Sequence, residues 1–240
     1  MSGKTTFTKH LIGKEFPGAN IGPEPTTDRF TILQYGAQDQ LMKGPAFIRE
    51  TNQARFSTAK KLGADFVNSL QGVWTDSKFL QNYSIVDTPG MLSVKEKPRS
   101  YDMQEALGFF AEEAAIIIFM FDVNKVDVNQ ETNNAFQVLL PHFDKIRFVL
   151  NKAHEKPMSD LLHIYGALLW HLRLDYQRTE VPHIYVTSFP DTKQHQIAID
   201  EVGGHHSELL KIEASPSHSD HCMCEQAAAL HFNAFHREKG

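Results

Sequence analysis

Short apolar runs alternate along the chain with longer stretches of helical spacing. Residues 30–35 alternate apolar and polar positions, as a half-buried strand does. Residues 83–86, 146–150 and 183–187 are brief apolar-rich runs that stop at Asp87, Asn151 and Ser188. Residues 115–121 are continuously apolar, as in a strand buried on both faces of a parallel sheet. Between these runs, residues 7–13, 101–114, 130–140 and 158–174 read as helices, with Pro141 stopping the third. The last has an apolar surface wider than one stripe, which suits packing on two partners. Residues 54–70 carry Phe56, Ala59, Leu62, Phe66, Val67 and Leu70 at near-helical spacing, and 36–53 reads as an irregular polar insertion. Strands alternating with helices predict an α/β fold with a parallel, doubly wound sheet and right-handed crossovers.

Gly3-Lys4-Thr5-Thr6 opens the first helix. It matches the second half of a phosphate-binding loop, in which helix N–H groups and the positive dipole end meet an anion. Lys4 is the expected phosphate ligand and Thr5 the expected Mg²⁺ hydroxyl, with Gly3 and Thr6 beside them. Asp87-Thr88-Pro89-Gly90 and Asn151-Lys152-Ala153 then follow at strand ends, where open α/β sheets hold nucleotides. Asp87 is the expected Mg²⁺ carboxylate. Gly90, lacking a Cβ, can bring its N–H to the γ-phosphate. Thr27, in the proline-stiffened loop before residues 30–35, is placed to reach Mg²⁺ and the γ-phosphate. Residues 92–100 are charged and suit a second switch. The order of these motifs predicts a P-loop NTPase.

Bulk properties add limits. The chain has 240 residues, 41% hydrophobic and 22% charged, as in ordinary globular proteins. A formal charge of −5 implies no general affinity for nucleic acid. Cys222 and Cys224 are the only cysteines, so a disulfide framework is not expected and a reducing compartment fits. No secretory signal pattern begins the sequence, and the run near residue 120 is too short to cross a bilayer. The histidine-rich residues 191–240 match no structural zinc spacing and read as a partly disordered tail or the remnant of a helical domain.

Gly22-Pro23-Glu24-Pro25-Thr26-Thr27-Asp28, Asp87-Thr88-Pro89-Gly90, Asn151-Lys152-Ala153 and Ile164-Tyr165-Gly166-Ala167-Leu168-Leu169-Trp170 closely resemble the EH-domain-containing (EHD) proteins over roughly residues 3–189. The resemblance implies a dynamin-type G domain across residues 1–190, with a mostly parallel sheet flanked by helices. It implies ATP rather than GTP, slow Mg²⁺-dependent hydrolysis, and work on endocytic membranes during trafficking and recycling. By motif matching, Lys4 binds phosphates, Thr5, Thr27 and Asp87 hold Mg²⁺, and Thr27 positions the hydrolytic water. Gly3, Thr6, Gly90, Asn151, Lys152 and Ser188 complete the nucleotide site. Trp170 falls on the helix that resembles the family's dimer surface, its alternative being plain core packing. A homodimer or hetero-oligomer with EHD relatives is thus implied. So is a cytoplasmic protein, peripheral on endosomal or plasma membranes through segments absent here. No catalytic arginine is assigned.

The chain departs from that pattern in four ways. His154 stands where Asn-Lys-x-Asp has its carboxylate, and an imidazole cannot accept the two N–H bonds of guanine. Pro190 follows Ser188-Phe189 where the family shows tryptophan. The first strand is missing, which predicts a central gap roughly 4.8 Å per strand spacing wide, closed by collapse or left by a fragment. The sequence also ends before a helical membrane-binding region is complete. Two other readings therefore remain: a catalytically silent truncated paralogue acting as a dimerisation module, and a regulatory GTPase that His154 disfavours.

Overall fold

The computed structural model describes residues 2–19, 29–50, 56, 58–90, 99–126, 130–176 and 182–189, with the backbone of 233–236. The Thr27 expectation, most of the second-switch expectation and most of the tail lie outside the described residues.

The first helix, α1, spans Lys4–Ile12 and is bounded by Gly3 and Gly13. Strands β1 (Phe30–Tyr35), β2 (Gln40–Lys43), β3 (Leu70–Thr75) and β4 (Tyr83–Asp87) form one half of the sheet. Strands β5 (Ile116–Asp122), β6 (Ile146–Asn151) and β7 (Ile184–Val186) form the other. A final strand, β8 (Asn233–His236), lies between the halves, giving the order β2-β3-β1-β4-β8-β5-β6-β7. β1 pairs parallel to β3, and β5, β6 and β7 are mutually parallel. β2 is antiparallel to β3, β1 to β4, and β8 to both its neighbours. The expected central gap has therefore not closed up. Its place is taken by a strand from the far end of the sequence.

Two stretches need correction. Residues 36–53 are not an irregular insertion: they hold β2 and the helix α2 (Gly44–Glu50). Residues 54–70 are not one helix. A 3-10 turn, Thr58–Leu62, is separated from the helix α3 (Ala64–Asn68) by Gly63 at φ 91°, a left-handed angle that ends helical continuity. Leu70, the last member of the apparent helical stripe, instead begins β3.

The remaining α-helices among the described residues are α4 (Met103–Glu113), α5 (Gln130–Leu139) and α6 (Met158–Tyr176). Asp102 caps α4, its carboxylate accepting from the N–H groups of Gln104 at 2.8 Å and Glu105 at 3.2 Å. Successive strand residues point to opposite faces and so feed two cores. On β4, Ile85 joins Phe7 of α1 and Leu168 of α6 in one. Its neighbour Val86 joins Phe30, Phe66 and Phe110 in the other. The Phe30 and Phe110 rings stack at 5.2 Å between centroids. This double burial fixes the ends of β4, β5 and β6 beside the start of α1.

Candidate functional site

α1 begins on Gly3, whose φ of 88° turns the chain into the helix without a side-chain cap. The first-turn N–H groups consequently point out of the helix end. Behind Gly3 stands Asn151, at the end of β6. Its Nδ2 donates to the Ser2 carbonyl at 2.9 Å, and its Oδ1 accepts from the Thr187 hydroxyl at 3.4 Å. The approach is so close that a Cβ on Gly3 would fall 2.4 Å from Asn151 Nδ2.

Asp87 ends β4 at the same place. Its Oδ2 accepts from the Thr5 hydroxyl at 3.0 Å, while its Oδ1 is buried with no hydrogen-bond partner among the described residues. The neighbouring Thr88 hydroxyl is likewise buried and unpaired among the described residues. Buried polar atoms are rarely left so. Burial pushes the Asp87 carboxyl up to about 6 from an ordinary 3.8, against the pull of the Lys4 ammonium and the Thr5 hydroxyl. Burial also lowers the Lys4 ammonium, which Asp87 raises and Arg99 lowers further. A cation bridging to Oδ1 would relieve both the orphaned oxygen and the desolvated charge, so the donor set fits a hard, oxygen-seeking metal such as Mg²⁺. At Gly90, a Cβ would meet no atom of the described residues within 4 Å.

The raised carboxyl has a definite sign. Between about pH 4 and 6 the folded chain holds a proton that the unfolded chain has released. Stability contributed by Asp87 therefore falls as pH rises through that window. The ligand-free Asp87→Asn chain is expected to be more stable than the parent at pH 7, by on the order of 1–3 kcal/mol, and equal to it near pH 4. Thermal melts of both proteins across that range check it. A constant difference at every pH would rule it out.

The third expected cluster surrounds the loop after β6. Lys152 is the one non-glycine residue with positive φ, at 66°, among the described residues. Its Nζ sits 2.6 Å from Asp122 Oδ2. The Asp122 Oδ1 accepts from the Asn124 backbone N–H at 2.9 Å, so the carboxylate is held on both oxygens. His154 Nδ1 pairs with the Ser188 hydroxyl, and the Ala153 N–H donates to the Thr187 carbonyl at 3.1 Å. Ser188 and Asn151 are both buried.

Gly3, Lys4, Thr5, Asp87 and Asn151 thus gather around the start of α1, with Thr6 half-buried on the same turn. Lys152, His154 and Ser188 form the adjoining loop pair. Two residues escaped the sequence reading. Asp122 closes the apolar run of β5 as Asp87 closes β4, a run-then-carboxylate signal that was available. Arg99 gave no such signal. Its guanidinium pairs with Glu131 of α5 and donates to the Gly90 carbonyl.

Trp170 is not a core residue. It is 61% exposed, and Leu162 and Met158 on the same helix are 65% and 55% exposed. Positions 158, 162, 166 and 170 recur every four residues and so share one face of α6. Among the described residues no helix is long and apolar enough to cross a membrane.

The sequence profile of the dynamin family matches residues 1–153. EH domain-containing protein 1 of Homo sapiens is 38% identical over 190 residues, covering 78% of this chain and 35% of the relative. EH domain-containing protein 2 of Arabidopsis thaliana is 35% identical over 204 residues, covering 84% of this chain and 37% of the relative. The chain therefore spans little more than a third of the length of these curated relatives. Among solved structures, one from an oligomerised bacterial dynamin pair superposes with a TM-score of 0.56 at 18% identity, covering 87% of this chain and 43% of the other. That likeness speaks for the fold alone.

Proposed function

Because this chain belongs to the dynamin family, we propose that its residues 1–190 form a G domain that binds ATP with Mg²⁺ and hydrolyses it slowly. We place that activity in endocytic membrane trafficking and recycling, on the cytoplasmic side of endosomal or plasma membranes. The similarity to EH domain-containing proteins supports this setting. The observation that carries the nucleotide reading is the buried Asp87 carboxylate, one oxygen unpaired among the described residues, beside Lys4 and Thr5 at the start of α1.

In this reading Lys4 and the N–H groups of Gly3, Thr5 and Thr6 receive the phosphates. Thr5 and Asp87 hold Mg²⁺, with Thr27 completing the set and directing the water. Mg²⁺ would neutralise charge on the phosphates as the terminal bond breaks. Gly90 offers its N–H at the third phosphate, while Arg99 holds the carbonyl of the same residue. Asn151 and Lys152 receive the base, and Asp122 fixes the Lys152 ammonium. With its Nδ1 engaged by Ser188, His154 cannot present the paired acceptors guanine requires. Calorimetric titration of the folded chain tests the reading: heat with ATP and Mg²⁺, weaker heat with GTP, and little with ATP in EDTA. A folded chain that gives no heat with either nucleotide would sink it. A preference for GTP would instead favour the regulatory GTPase.

We further propose that the face bearing Met158, Leu162 and Trp170 joins two copies, or one copy and an EHD relative. Its three large apolar side chains, each more than half exposed, support that reading. Loss of a central interface tryptophan costs roughly 2 kcal/mol or more, about thirtyfold in affinity. Trp170→Asp is therefore expected to shift sedimentation-equilibrium profiles toward monomer by at least that factor. Unchanged profiles would discard this face. Dimerisation through it without nucleotide binding would favour the silent interaction module.

A further inference from the structure

Arg99 stands just ahead of α4, and its three guanidinium nitrogens are unequally engaged. Nη1 donates to the Glu131 carboxylate of α5, and Nη2 donates to the Gly90 carbonyl. Nε is buried and has no partner among the described residues. The side chain is 10% exposed, so bulk water does not supply the missing bond. Nε and Nη2 lie on the same edge of the planar group, the edge that grips two oxygens of one phosphate or carboxylate at once. Here that edge holds a single neutral oxygen. A buried arginine edge with one bond unmade and the other on a carbonyl is matched to an anion.

Two observations relate this edge to the site. Its one partner is the carbonyl of Gly90, the residue whose N–H is assigned to the third phosphate. The guanidinium therefore lies within about one residue's length of that N–H. The Lys4 ammonium, depressed chiefly by its own burial, is lowered further by repulsion from Arg99. The two cations are thus close enough to oppose each other, and an anion shared between them would replace that repulsion with attraction to both.

Resting on the ATP reading above, we propose that Arg99 is a catalytic residue of the hydrolysis: its Nε–Nη2 edge exchanges the Gly90 carbonyl for two oxygens of the terminal phosphate, while Nη1 stays on Glu131. In that step a water oxygen bonds to the terminal phosphorus as the bond to the bridging oxygen breaks. The electron pair leaves with ADP, and both water protons end on the released phosphate. Arg99 gives up no proton and takes none. Its contribution is to hold fixed positive charge against the oxygens over which the transition state spreads its negative charge.

The test uses the full chain in two variants. Arg99→Lys keeps a charge and loses the fork. Arg99→Met with Glu131→Gln leaves no unpaired buried charge behind. Calorimetry reads the affinities for ADP and for an imido-linked ATP analogue, both with Mg²⁺, and phosphate release reads single-turnover hydrolysis of ATP. Both variants are expected to bind ADP within about twofold of the parent and the analogue about tenfold more weakly. Hydrolysis is expected to slow by on the order of a hundredfold or more. Equal losses for ADP and analogue would make Arg99 a structural tie, and unchanged hydrolysis would remove it from the chemistry. Either result overturns the proposal and leaves the ATP reading standing. A folded parent that binds neither nucleotide overturns both.

Discussion

Lys4→Ala is expected to weaken binding of ATP and Mg²⁺ by on the order of a hundredfold or more, with the chain still folded. Two effects add. The variant removes the ammonium that would face the phosphates, and truncating one member of a partly buried charge pair costs roughly 2–5 kcal/mol. It also removes the cation that holds the Asp87 carboxyl down against burial. The Asp87 carboxyl should then titrate above the parent's value of about 6, leaving less carboxylate at neutral pH to hold a metal. The double loss predicts a diagnostic pattern. Raising the pH from 6 to 8 should recover more affinity in the variant than the roughly twofold gain expected of the parent, whose Asp87 is half ionised at pH 6. Calorimetry at both pH values reads it. A variant that binds as the parent does would remove Lys4 from the site.

Gly3→Ala should be nearly as damaging, for a steric reason. The added methyl would lie 2.4 Å from Asn151 Nδ2, far inside van der Waals contact. It must also adopt φ near 88°, where an L side chain is strained by about 1–2 kcal/mol. Asn151 is buried and bonded on both sides, so it cannot swing aside without abandoning Ser2 or Thr187. The expected outcome is a loss of about 2–4 kcal/mol in chemical denaturation and loss of detectable nucleotide binding. Asn151→Ala should relieve the clash. The double variant is therefore expected to regain stability relative to Gly3→Ala, although not nucleotide binding. If Gly3→Ala costs nothing, the close approach of β6 to the helix start is wrong.

The parts of this molecule that were legible in its sequence share one property: their signal is local. β4, β5 and β6 are short apolar runs, with Asp87 or Asn151 fixing the end of two of them. The Asp102 cap and the spacing of Ala106, Leu107 and Phe110 mark α4. What was missed depends on partners remote in sequence. β2 is largely exposed, so no apolar run marks it, and it exists through its antiparallel ladder with β3. β3 contains Gln71, Gly72 and Trp74, and its first residue completes a false helical stripe. β8 is strand only because β4 and β5 leave it a place. At the site the same rule holds. Phosphate-loop and strand-end residues announce themselves by motif. Arg99 gains meaning only from Gly90 and Glu131, the latter 32 residues away.

The tie between Asn151 Nδ2 and the Ser2 carbonyl spans 149 positions. A ribosome adding about 5–20 residues per second delivers the second partner roughly seven to thirty seconds after the first. Throughout that delay residues 2–12 have no β6 against which to set their turn. This earlier-made segment is thus among the later ones to mature, and a chaperone meeting it during synthesis would find Phe7 and Ile12 still uncovered.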